Sequence, residues 1–230
     1  MVNTLGIKSF GINTVGKDYI VGDIHGSFSL LMDRLVKIGF DRRTDRLFST
    51  GDLVDRGLES ELCLFWLAKP WFHAVRGNHE QMAIDYFRKN GDYIMTTSDY
   101  NRNGGEWFTT KDVDAQLQFV EAFEKMPVLI ELETKAGMVG IVHAEVVDND
   151  WASTKVEVLK NSNLAFQATL WERSRFNYND LTNVKGVRAV VVGHTPLKAP
   201  RVLGNVHYID TGAVFGNRFT ILDSVTLQEV

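Results

Sequence analysis

The polar and apolar positions of this chain change rhythm several times, and each change predicts an element. "DYIVGD" (18–23) is a short apolar run closed at Gly22 and reads as a buried strand. "SFSLLMDRLVKIGF" (27–40) follows with helical spacing. Phe28, Leu31, Leu35 and Ile38 share one face, Ser27 stands at the N-cap position and Gly39 stops the helix. The couplet then recurs twice. "RLFSTGD" (46–52) predicts a strand, and "LESELCLFWLA" (58–68) a helix with Leu62, Phe65 and Trp66 inward. "FHAVRGN" (72–78) predicts a third strand, and "HEQMAIDYFRKNG" (79–91) a third helix. Three strand–loop–helix units in succession predict a parallel α/β sheet. Right-handed crossovers would place the three charged loops along one edge, at the carboxyl ends of the strands, where open α/β sheets bind ligands.

The second half has a different rhythm. Asp92 to Lys111 is polar and contains glycine, and reads mainly as loop, with helix within it left open. "LQFVEAFEKM" (117–126) predicts a helix that ends before Pro127. "VLIELE", "MVGIVHA", "RAVVVGH", "VHYID" and "FTILD" read as strands with fewer helices between them. There is no internal repeat, low-complexity tract or proline-rich linker, so residues 1–230 read as one domain built on two sheets.

Composition narrows the class. The chain has 230 residues, 44% of them hydrophobic, which suits one core of good size. Its net charge of −4 lacks the basic footprint that phosphate contacts require, so nucleic acid is not an expected partner. The single cysteine, Cys63, rules out an intrachain disulfide and suits a reducing compartment. The first residues lack the apolar core of a signal peptide, and no apolar run nears the roughly 18 residues of a membrane span. The expectation is a cytoplasmic protein with no membrane contact, and a monomer by default.

The loops themselves carry the chemistry: "GDIHG", "GDLVDRG" and "RGNHE", followed later by "VHAE" and "VVGHTP". They collect Asp23, His25, Asp52, Asn78, His143 and His194, a set of carboxylate, imidazole and carboxamide donors with no thiolate. That mixture suits borderline-to-hard divalent ions such as manganese, iron, zinc or magnesium. Six protein donors are too many for one catalytic ion with an open position and about right for two sharing a bridging carboxylate. Two such ions, roughly 3.5–4 Å apart, can hold a hydroxide and clamp a phosphoryl oxygen. Gly22, Gly26, Gly51, Gly57 and Gly77 would let the backbone turn tightly beside a ligand. Each feature alone is commonplace: an isolated Asp-x-His decorates many surfaces, and a lone histidine in an apolar strand is usually a core residue. Three consecutive strand ends with metal-type residues beside glycine are not.

In this order the blocks "GDIHG", "GDLVDRG" and "GNHE" resemble the metal-dependent PPP family of serine/threonine phosphatases. The neighbouring "PWFHAVRGNHEQM", "LWERSR", "VVGHTP" and "YIDTGAVF" are similar to its small bacterial and phage branch, with likeness from about Tyr19 to Phe219. The resemblance implies a metallophosphoesterase-type two-sheet β-sandwich core flanked by helices, with the metal site at the carboxyl ends of the strands. It implies two divalent ions, manganese foremost, with iron, zinc and nickel as further candidates. Asp23 and His25 would bind the first ion, Asp52 would bridge both, and Asn78, His143 and His194 would complete the second. His79 would be the general acid, oriented by Asp55. Arg56 and Arg173 would hold the phosphate oxygens, with Asn78 also beside the substrate. "WERSR" offers Arg175 as well, and alignment on Trp171 favours Arg173. Ser27 departs from the cysteine that many relatives carry. Trp66, Trp71 and Trp107 read as core or pocket wall, Arg76 as the partner of a carboxylate, and Tyr208 and Asp210 as supports of a loop.

The implied reaction is hydrolysis of phosphoserine and phosphothreonine in proteins and peptides by a metal-bridging hydroxide, with phosphotyrosine left open. Other phosphatase chemistries do not fit. Cys63 has Lys69 where a cysteine phosphatase needs arginine, and Asp148-Asn149-Asp150 lacks the hydroxyl residue of an aspartyl-phosphate enzyme, Ala152 standing there. The alternative is symmetrical diadenosine tetraphosphate hydrolysis on the same scaffold. That family carries alanine at the Asp55 position and aspartate at the Glu80 position, so both residues favour the protein phosphatase. A non-catalytic phosphoprotein scaffold would be expected to lose ligands, and a nuclease suits the acidic balance poorly.

Overall fold

The computed structural model describes residues 6–89 and 95–230. The last two residues of the predicted third helix (90–91) and the start of the predicted loop (92–94) lie outside these. The chain opens with strand β1 (Ile7–Phe10), and β2 (Asp18–Val21) leads into helix α1 (Phe28–Lys37). β3 (Arg46–Ser49) is followed by a short 3-10 turn (Ser60–Leu62) and α2 (Cys63–Leu67). β4 (Phe72–Ala74) leads into α3 (Asn78–Arg88), after which come α4 (Thr97–Arg102), α5 (Glu106–Thr109) and α6 (Val113–Glu124). The second half runs β5 (Leu129–Thr134), β6 (Gly137–Val142), α7 (Trp151–Leu159), α8 (Asn163–Leu170), α9 (Ser174–Tyr178) and β7 (Ala189–Val192). β8 (Arg201–Leu203), β9 (Val206–Tyr208) and β10 (Ile221–Asp223) close it.

These strands form two sheets, one in the order β1-β5-β6-β7-β9-β8 and the other β10-β2-β3-β4. The alternation along each strand explains how they stack. Ile20 and Phe48 point between the sheets, where they meet Ile130, Ile141, Val191 and Leu222 in one apolar layer. Tyr19, Val21 and Leu47 point the other way, onto α1 and its neighbours. Val190, Val192 and Tyr208 of the larger sheet face the layer of α7 and α8. Both faces of the central strands are covered, which is why "DYIV" and "AVVV" are buried throughout.

β2, β3 and β4 run parallel to one another, as do β6, β7 and β9. Their carboxyl ends meet at one place. The Nδ1 of His143, after β6, donates to the carbonyl of Thr50, after β3, at 2.8 Å. The N–H of His194, after β7, donates to Asp23 Oδ2, after β2, at 2.9 Å.

Several local expectations change. The 95–111 stretch read mainly as loop carries α4 and α5, and the second half holds three helices between β6 and β7. Within α2 the buried residues are Cys63 and Trp66, whereas Leu62 and Phe65 are exposed. Ser27 occupies the N-cap of α1 without capping it, and its hydroxyl donates to the carbonyl of His25. Glu59 caps that helix from a distant loop, accepting from Ser29 N at 2.7 Å. "FTILD" holds the strand β10, which joins the sheet of the first half by pairing antiparallel with β2. β1, unread in the sequence, pairs parallel with β5.

Candidate active site

The loop after β2 delivers Asp23 and His25, the loop after β3 delivers Asp52, Asp55 and Arg56, and the turn after β4 delivers Asn78 and His79 as α3 begins. Two of these loops touch so closely that a Cβ on Gly77 would lie 2.2 Å from Asp52 Oδ1, so only glycine fits there. Glu80 fastens them. Its Oε2 accepts from Gly77 N at 2.7 Å and Asp52 N at 3.1 Å, and its Oε1 from Leu53 N at 2.7 Å. His25, Asp52, Asp55, Arg56 and His194 all adopt left-handed backbone, with φ of 45, 48, 68, 70 and 64°. Each such residue costs about 1–3 kcal/mol, and clustering of that strain is characteristic of functional sites.

The six predicted donors come together. Asp52 Oδ2 lies 3.6 Å from His25 Nε2 and 3.5 Å from His143 Nε2. Asn78 Oδ1 lies 2.8 Å from His143 Nε2 and 3.0 Å from His194 Nδ1, and those two nitrogens are 3.1 Å apart. Ligand atoms of Asp23, Asp52 and His143 lie within 4.8 Å of one another.

Backbone carbonyls settle which atom of each ring is free. His25 Nδ1 donates to Val54 O at 2.8 Å, His143 Nδ1 to Thr50 O at 2.8 Å, and His194 Nε2 to Trp171 O at 3.1 Å. A carbonyl can only accept, so each ring carries its proton there, and the opposite nitrogen turns a lone pair inward. Burial lowers His25 and His194 to about 3 and lowers His143 as well, so these rings are neutral at pH 7. His143, His194 and Asn78 thus present three acceptors to one another with no proton between them. Burial, with Asp210 and Asp52 close by, pushes the Asp23 carboxyl well up. Converging lone pairs and carboxylates short of positive charge are the arrangement that a divalent cation satisfies, and the donor set fits one without a thiolate.

His79 stands beside this cluster with a different setting. Its Nδ1 is 2.7 Å from Asp55 Oδ2, and its Nε2 is 3.9 Å from Asp52 Oδ2. Burial alone would lower it, but Asp52 and the Asp55 hydrogen bond outweigh burial and hold it above its ordinary value. Arg56 points in, its Nη1 on His25 Nε2. Arg173 is exposed at the rim, with Nη2 3.1 Å from the carbonyl of His194. Arg175 is buried elsewhere, held by the carbonyl of Asp180 at 2.8 Å and by Asn149. Arg76 is fully buried and caps the end of α6 through the carbonyls of Phe123, Glu124 and Met126 at 3.0, 2.8 and 3.2 Å.

Sequence reasoning underrated three groups. Asp210 is a buried carboxylate beside Asp23, not merely a loop support. Trp107 and Tyr100 both donate to Asp55, at 2.7 and 3.2 Å. No spacing in the chain announces these contacts; the only local hint was aromatic residues in an otherwise polar stretch.

Two sets of parallel strands thus meet over a buried carboxylate–imidazole–carboxamide cluster of the kind that can hold divalent metal ions. The chain belongs to the calcineurin-like phosphoesterase family, whose model matches residues 19–198. It is 38% identical over 206 residues to serine/threonine-protein phosphatase 1 of Salmonella typhimurium, covering 88% of this chain and 89% of that protein. It is 27% identical over 224 residues to an asymmetrical bis(5'-nucleosyl)-tetraphosphatase of Oceanobacillus iheyensis, covering 87% and 86%. Among solved structures, a cold-active protein-tyrosine phosphatase of a Shewanella species shares the fold, with a TM-score of 0.60 at 17% identity over 97% of this chain and 80% of that one. Among the described residues no helix is long and apolar enough to cross a membrane.

Proposed function

We propose that this phosphoesterase removes phosphate from phosphoserine and phosphothreonine in proteins, using two divalent ions, manganese foremost. The observation that carries the reading is the Asp55–His79 pair, 2.7 Å apart and beside the donor cluster. An alkyl phosphate leaves as a poor alkoxide and needs a proton donor, and His79 is placed as one. The relatives named as protein phosphatases support the same substrate class.

Asp23, His25, Asp52, Asn78, His143 and His194 would hold the ions. When bound, these supply positive charge for the phosphoryl oxygens and a water acidic enough to attack phosphorus at neutral pH. Arg56 and Arg173 bind phosphate oxygens through planar paired donors and fix the ester in line. Asn78 places its carboxamide at the same point, and His79 delivers the proton to the leaving oxygen. Asp55 holds the imidazole in the tautomer that makes this transfer. Tetraphosphate hydrolysis is the second reading: intact Asp55 speaks against the symmetrical kind, while the tetraphosphatase relative is named as an asymmetrical one. A metal-supplemented comparison of phosphoserine peptide, phosphotyrosine peptide and diadenosine tetraphosphate separates the two. A higher kcat/KM on the dinucleotide than on phosphoserine peptide would reject the protein phosphatase reading.

Chelator-treated protein should be inactive, and manganese should restore it better than magnesium, because a donor set with three imidazoles suits imidazole-tolerant metals more than magnesium. Full turnover after verified metal removal would sink the metal requirement.

The two arginines of "WERSR" should behave oppositely. Arg173→Ala should melt like the parent, keep its metal and lose turnover together with inhibition by phosphate. Arg175→Ala should lose about 2–4 kcal/mol of stability, since it strips a buried cation from several acceptors. Melting curves and phosphate inhibition of both variants decide the matter. A phosphate-binding defect in Arg175→Ala alone would move the role to that residue.

A further inference from the structure

The general acid reading leaves a question about Asp55, which orients His79. Asp55 is fully buried, and its two oxygens are used differently. Oδ2 faces His79 Nδ1 at 2.7 Å, whereas Oδ1 receives Trp107 Nε1 at 2.7 Å and the Tyr100 hydroxyl at 3.2 Å. Both donors come from the short α4–α5 segment, Tyr100 from the first helix and Trp107 from the second. Neither ring can easily turn away. Trp107 packs edge-on against Phe119 with centroids 4.9 Å apart, and Tyr100 is fully buried against Phe108 at 5.9 Å and Tyr86 at 5.6 Å.

The same segment also reaches the next residue. The carbonyl of Gly104 accepts from Arg56 N at 3.4 Å, and a Cβ on Gly104 would lie 2.3 Å from that nitrogen. Asp55 and Arg56 are consecutive residues in left-handed backbone, a conformation that neighbours must hold in place.

We propose that Trp107 and Tyr100 are positioning residues of the acid pair: together they anchor Asp55 Oδ1 so that Oδ2 alone presents to His79. Two donors from rigid rings converge on one oxygen, and together they fix the plane of the carboxyl group. Buried tryptophan and tyrosine generally find some partner for N–H and O–H. Here both choose the same oxygen of the residue that sets the tautomer of the acid. Among the described residues neither side chain hydrogen-bonds to a member of the donor cluster, and the hydrogen bond that links each to the acid pair is the one to Asp55. The inference rests on His79 acting as the acid.

Trp107→Phe and Tyr100→Phe keep the rings and delete the donors. Each should lower kcat on a phosphoserine peptide by about five- to tenfold, a fraction of the about 10²–10⁴-fold that a general acid contributes. On an activated aryl phosphate, whose leaving group needs little protonation, the loss should stay below about twofold. KM and metal content should be unchanged. In a His79→Asn background the same substitutions should cost nothing further on the peptide, because the group they position is gone. Equal losses on both esters, or losses that persist undiminished in the His79→Asn background, would make the two residues packing elements and overturn the proposal. The His79→Asn protein is also the control on the reading beneath. If it loses activity equally on both esters, the acid role fails and takes this inference with it. If it splits the esters and neither phenylalanine variant does, only this inference fails.

Discussion

Asp52→Asn is expected to abolish turnover, lowering kcat by about 10³-fold or more with the fold intact. Asp52 is 2% exposed at the centre of the cluster. Its Oδ2 lies within 4 Å of ring nitrogens from His25, His79 and His143, while its Oδ1 accepts from His79 N at 2.9 Å. An amide of the same shape keeps the Oδ1 contact and discards the charge. Every other neighbour is neutral or already committed, so nothing replaces that charge toward a cation. Metal content should therefore fall along with turnover. The metal-free variant should melt somewhat below the metal-free parent, because, in spite of burial, the neighbouring imidazoles and the His79 N–H favour the Asp52 carboxylate in the folded chain, and an amide gives up that attraction. Metal analysis, melting and kinetics on one preparation test all three expectations. Two ions held at parental affinity would remove Asp52 from the bridging position.

The second large effect belongs to His79. His79→Asn should lose about 10²–10⁴-fold on a phosphoserine peptide and less than about tenfold on an activated aryl phosphate, with metal content unchanged. The physical reason is the leaving group. A serine alkoxide cannot depart without a proton, whereas an activated aryl oxide is stable enough to go alone. On the proposed reading His79 would serve this task, with its Nδ1 committed to Asp55 and its Nε2 facing the cluster. Asp55→Asn should show the same split in milder form. If His79 only supported Asn78 at the start of α3, the variant would lose metal and fall equally on both esters. The rates must be compared where chemistry limits turnover, which a burst experiment establishes.

The convergence of the candidate donors was legible in the chain because the sequence spacing and the fold share a cause. A strand that ends in glycine must turn, and residues just past the turn sit at the carboxyl edge. Asp23, His25, Asp52, Asn78 and His79 follow β2, β3 and β4 within a few residues, so local spacing alone brought them to one edge. His143 and His194 stand in the same relation to β6 and β7. That the second sheet would turn its carboxyl edge to the first was implied only by the resemblance.

Other features are consequences of long-range packing and leave no local trace. The two halves of the chain exchange a strand, since β1 joins the sheet of the second half and β10 that of the first. Four-residue or shorter strands pair wherever a free edge offers hydrogen bonds, and that edge exists only once the sheets have formed. Arg173 and Arg175 are two residues apart in the same short segment. The start of α9 turns one toward His194 and buries the other, a rotation that spacing cannot assign. The contacts of Trp107 and Tyr100 with Asp55 span 52 and 45 residues.

The sequence by itself thus determined which donor types exist and which strand ends carry them, because both depend on neighbours in the chain. The tertiary structure alone decided which atom of each donor faces inward. The carbonyls of Thr50, Val54 and Trp171 hold the protons of His143, His25 and His194 on the outer side, each from a residue 23 to 93 positions away. A histidine offers two nitrogens of nearly equal chemistry, and only a partner fixed in space can choose between them.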